Sequence, residues 1–188
     1  MSKVILLEQL KEFSESVTRD IILPVAQQKE DKEPPKPRAA EVFCTRLPDS
    51  KSAKKKAPYI LHQFINDKTI QPEGQPVDST AIVRSVFCVY HPDEQEGGLA
   101  LLTLMDQLYL SLLERPIVGA QFVLDLKAGM ESMAYPEDSA PYFAGEMVTV
   151  WKMPPVRRLD TTRIIHGMPP WDPHPHHLEE TIRLKGSD

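Results

Sequence analysis

Four histidines gather near the C-terminus, His166, His174, His176 and His177, with Asp172 and Glu179 among them. Imidazole nitrogens and carboxylate oxygens are ligands that suit zinc or non-haem iron, so a metal-dependent hydrolase is the enzyme this cluster would build. The spacing argues against it. The run MPPWDPHPHH sets its histidines in a proline-flanked stretch, whereas a helical HExxH pair holds two imidazoles one turn apart on one face. An arm that docks on a neighbouring chain is the plainer reading, with Trp171 as anchor, because interface hot spots are enriched in Trp and Arg. Arg157 and Arg158 open the same arm.

Other groupings offer less chemistry. No GxSxG elbow presents a serine nucleophile, and Gly97-Gly98 lacks the surroundings of a GxGxxG or P-loop motif. Asp93, Glu94 and Glu96 resemble a carboxylate cation site, yet acids at the head of a helix follow from its dipole, worth ~0.3–1 kcal/mol each. Lys51, Lys54, Lys55 and Lys56 form one short basic run in a chain of net charge −5. Backbone binding to nucleic acid needs a cationic surface, so that run reads as a solvated loop or a contact for an acidic partner. The YPED and APY runs at 135–138 and 140–142 read as turns over which an aromatic ring packs. Neither a catalytic residue nor a cofactor is expected.

The elements that carry these residues follow from periodicity. Val4, Leu7, Leu10, Phe13 or Ser14, Val17 and Ile21 recur at helical spacing, predicting an amphipathic helix over 3–21 with Ser2 as N-cap. Pro24 ends it, and the charged, proline-rich run 27–39 reads as a linker. Strands are predicted at 41–47, 59–65, 80–90, 120–126 and 143–153. The clearest is 80–90, where Val83, Ser85, Phe87 and Val89 face one side and Ile82, Arg84, Val86, Cys88 and Tyr90 the other. Residues 98–114 predict a helix of about 25 Å. Its polar positions, Thr103, Asp106, Gln107, Ser111 and Glu114, make one narrow stripe, so burial is expected on more than one side, against the sheet and against helix 3–21 or a neighbouring subunit.

The expected fold is therefore α+β: a mainly antiparallel sheet of about four to five strands with two helices packed on it, plus a C-terminal extended arm. The chain of 188 residues divides into an N-terminal helix (1–26), the linker (27–39), a core (40–156) and the arm (157–188). The apolar run at 4–7 is too short for a signal peptide, and no run approaches the ~20 residues of a membrane span. A protein made in a cytoplasm is expected, with Cys44 and Cys88 as buried free thiols.

Three runs together resemble the phage tail terminator (tail completion) proteins of long-tailed bacteriophages. They are KAPYILHQFIND at 56–67, IVRSVFCVYHPDEQEGGLALLTLMDQL at 82–108 and YPEDSAPYFAGEMVTVWKMPPV at 135–156. The resemblance covers roughly 40–156, and its order and spacing are more specific than any one motif; the arm 157–188 has no counterpart in it. It implies a structural virion protein, assembled in the bacterial host cytoplasm and placed at the tail–neck junction. There a ring, typically hexameric, caps the head-proximal end of the tail tube, stops polymerisation and joins the neck. Implied partners are further copies of the chain, the tube protein, a neck or head completion protein, and the sheath where the tail contracts. DNA is only passing cargo in the channel, and no membrane is involved. Arg84, Tyr90, Asp93, Glu96, Tyr142, Arg157, Arg158 and Trp171 are the interface residues expected on this reading. The nearest alternative is a head-tail joining protein in an adjacent connector ring.

Overall fold

The computed structural model describes residues 3–27, 35–48, 56–71, 77–136 and 140–154, with Glu33, Ala53 and Glu73. All belong to one unit spanning 1–155. Helix α1 runs Lys3–Thr18 and buries Leu6, Leu7, Leu10, Ser14 and Thr18, one face at spacings of three and four. It ends earlier than the apolar pattern predicts, where the Thr18 hydroxyl turns back to the Ser14 carbonyl at 2.8 Å. Val4 is exposed, because Leu6 takes the core position in that turn. Beyond α1, the backbones of Leu23 and Arg38 pair through two hydrogen bonds of 2.9 and 3.0 Å, tying together the two sides of the predicted linker.

The strands are β1 (Glu41–Cys44), β2 (Tyr59–Ile70), β3 (Asp78–Tyr90), β4 (Ile117–Val118), β5 (Phe122–Leu124), β6 (Met130–Ala134) and β7 (Tyr142–Lys152). Helix α2, Glu94–Glu114, connects β3 to β4. The sheet order is β1-β2-β3-β7-β5-β4, with β6 also paired to β7. All pairings are antiparallel except β1–β2. Among the described residues the fold is thus the expected α+β sheet with two helices, enlarged to seven strands. Part of the increase comes from the predicted 120–126 strand, replaced by the short β4–β5 pair, which turns through positive φ at Gly119 and Ala120. The rest is β6, which lies in what the sequence presents as an excursion. Its MESMA sequence has no β-branched or aromatic residue to announce a strand.

Alternation along β3 and β7 divides the sheet into two faces. Val83, Ser85, Phe87 and Val89, with Met147, Thr149 and Trp151, are buried in the core that contains the helix residues Leu6, Leu10, Leu104 and Leu108. Trp151 is fully enclosed there, and its indole donates to the Thr149 hydroxyl at 2.9 Å. Two glycines let α2 sit this close. A Cβ on Gly97 would lie 2.0 Å from the Phe143 ring, and one on Gly145 would lie 2.8 Å from Met105 Sδ. On the other face a smaller cluster, Ala57, Tyr59, Leu61 and Cys88, packs with Phe43, Leu47, Tyr90 and Tyr142. Cys88 is buried as expected, whereas Cys44 is only half-buried and its thiol donates to the Leu7 carbonyl at 3.3 Å. Among the described residues no helix is long and apolar enough to cross a membrane.

Candidate functional site

β3 and β7 bring several of the expected interface residues together on the sheet face away from the helices. Arg84 pairs with the Glu146 carboxylate diagonally across the β3–β7 junction, two residues along β7 from its register partner Val148, and donates to the Tyr135 hydroxyl at 2.9 Å. Tyr135 in turn donates to Glu146 at 2.6 Å. The Tyr135 hydrogen bond, reinforced by Arg84, holds the Glu146 carboxyl below the usual carboxylate range. The cluster sits beside an open groove lined by Met130, Glu131, Ser132, Met133, Glu146 and Val148. Tyr90 and Tyr142 are register partners at the end of the same two strands, with ring centroids 5.4 Å apart. They belong to the smaller apolar cluster, where burial pushes the Tyr142 phenol up.

Asp93 and Glu96 serve the helix. The Asp93 carboxylate caps α2, accepting from the N–H groups of Gln95 and Glu96 at 2.9 and 3.0 Å, and Glu94 and Glu96 stand in the first turn. This cap moves the helix start four residues ahead of the predicted 98, and it places Gly97-Gly98 inside the helix and not in a loop. With its oxygen so engaged, Asp93 contributes a helix end. Arg157, Arg158, Trp171, His166, Asp172, His174, His176, His177 and Glu179 lie outside the described residues, as do Lys51, Lys54 and Lys55.

A third polar group, unforeseen from the sequence, joins α1 to the sheet. His62 accepts or donates through both ring nitrogens, to Ser14 Oγ at 2.9 Å and Ser85 Oγ at 2.8 Å. Serine beside histidine has the composition of a nucleophile and its base, but His62 is fully enclosed and both serines are buried. Burial pushes the His62 imidazole down to about 4, so it is neutral near pH 7. No substrate reaches such a site, and the group acts as a polar pin through the core.

No protein-family model and no curated protein matches the chain. Its surface therefore has to speak for itself, and two features do. The first is α2. Leu101, Leu104, Met105, Leu108 and Leu112 turn inward, and Ser111 is buried with them, against the stripe predicted from the sequence. The leucine-rich face that remains carries Leu99, Leu102, Leu110 and Leu113, 40–59% exposed. On a helix advancing 100° per residue these four project within one narrow sector, together with Asp106. The second feature is the sheet margin. β6 and the distal part of β2 are exposed, and among the described residues each has a strand on one side only.

Proposed function

We propose that the chain is a structural subunit that forms a ring on the head-proximal end of a phage tail tube, ends tube growth and supplies the joint to the neck. The observation that carries this reading is the exposed leucine line of α2. One side of α2 joins the core with the sheet, and α1 contacts it as well. The leucine line keeps four large apolar side chains in water. Burying each half-exposed leucine is worth on the order of 1 kcal/mol, a gain repeated at every junction of a ring. The runs that carry the family resemblance support the reading too, because they build the subunit: Asp93 caps α2, Gly145 admits Met105, and Trp151 fills the core. A net charge of −5 suits a wall past which DNA moves without being held.

The test is made on tails assembled without this chain or with a Leu99→Glu, Leu110→Glu variant. Electron micrographs should then show tails of uncontrolled length that fail to join heads. Tails of normal length joined to filled heads would overturn the proposal.

A further inference from the structure

The margins of the sheet say how two copies would meet. β1 covers only Tyr59–His62 of β2, leaving residues 63–70 with a free edge among the described residues. On the other side of the sheet β6 pairs with β7 alone. Both margins are exposed, with Ile65, Ile70 and Met133 45–53% accessible. Exposed strand edges pair readily with further strands, and proteins ordinarily shield them.

We infer that, in the ring proposed above, β6 of one subunit adds to the free edge of β2 in the next, so that neighbouring sheets become continuous. Strand direction alternates along β2, β3, β7 and β6. A neighbour in the same orientation therefore presents its β2 antiparallel to β6. The outward backbone groups are available as well. Tyr135 N–H bonds the Ala144 carbonyl at 2.9 Å. In an antiparallel ladder such inward pairs alternate, so Tyr135, Met133 and Glu131 bond β7, while Ala134, Ser132 and Met130 turn their N–H and C=O outward.

Charge selects the register. Glu131 is the one charged residue of β6. The free edge of β2 offers Asp67, already bound to Lys3 at 2.8 Å, and Lys68. Pairing Glu131 with Lys68 also keeps faces matched. Glu131 lies opposite Val148 on the Arg84–Glu146 face. The bulge at Ile65 shifts the parity of β2 so that Lys68, opposite Thr80, lies on that same face.

The offset is of the size a closed array of strands needs. Through Val148 and Arg84, Glu131 is level with Gln63. Lys68 lies opposite Thr80, four ladder positions beyond Arg84, because the bulge at Ile65 takes up the fifth residue. At ~3.3 Å per position this is a stagger of about 13 Å, accumulated over four strands spaced ~4.8 Å apart, or about 19 Å. The strands then incline by about 35° to the ring axis, at the lower end of the ~35–45° typical of closed barrels.

Full-length chain carrying Cys44→Ser, Glu131→Cys and Lys68→Cys provides the test, oxidised and read by non-reducing gel and native mass spectrometry. A ladder of disulfide-linked copies ending at the ring is expected, with neither single cysteine giving more than a dimer. Glu131→Lys and Lys68→Glu should each weaken assembly by up to roughly fivefold per junction, and the double reversal should restore it. Ser132→Pro, which removes an outward N–H and spares those bonded to β7, should dissociate the ring, while the subunit at concentrations too low for assembly keeps the melting temperature of the unsubstituted chain. A ring that forms without the ladder and tolerates Ser132→Pro overturns the edge pairing and leaves the ring reading standing. A chain that stays monomeric at every concentration, and on tube ends, overturns both.

Discussion

Ser85 and Arg84 are neighbours on β3, yet they belong to polar clusters on opposite faces of the sheet. Ser85 belongs with Ser14 and His62, sealed beneath α1, where water cannot replace a lost partner. Arg84 belongs with Glu146 and Tyr135, beside an open groove, where water can. The difference assigns the labour of the molecule. The covered face holds the subunit together, and the open face and its margins remain available to other chains.

Substitutions ranked by expected effect sharpen that contrast. Trp151→Ala, on the covered face, should lower unfolding free energy by about 3–5 kcal/mol, read from urea midpoints, because it empties the largest enclosed side chain. Acid comes next. The folded His62 titrates near 4 against about 6.5 when unfolded, so the unfolded chain takes up the proton first. Its contribution is complete above pH 6.5, declines as pH falls, and is gone below about 4, a loss of roughly 3 kcal/mol. Urea titrations across that window should show the slope, and His62→Gln should flatten it whatever its cost at pH 7. Glu146→Gln, on the open face, should change stability by no more than about 1 kcal/mol, since solvent screens an accessible ion pair. Leu110→Gln should leave the isolated subunit within about 0.5 kcal/mol while weakening its self-association. A Glu146→Gln effect as large as that of Trp151→Ala would erase the distinction between the faces.

Much of the subunit was legible in the sequence because its signals are local. The alternation of β3 set both faces, and the apolar density of 98–114 announced a helix buried on more than one side. The acids at 93–96 were correctly assigned to the helix end. What escaped has non-local causes. His62 finds its partners 48 and 23 residues away, a meeting no spacing rule anticipates. Ser111 is small enough to be buried between Leu108 and Leu112, so polarity misled about which side of α2 faces water. β6 is a strand because β7 has a free side to pair with, not because MESMA favours extension. Of the expected interface residues, Tyr90 and Tyr142 meet each other and Asp93 caps a helix. Arg84 remains on the accessible face with its charge already matched.

The proposed role is one of place, at the end of a tail. A low-resolution map of the virion, with the chain located by a fused tag, tests it most directly. The account predicts a single ring of copies seated on the last layer of the tube. A ring seated against the portal, with another protein between it and the tube, would contradict it.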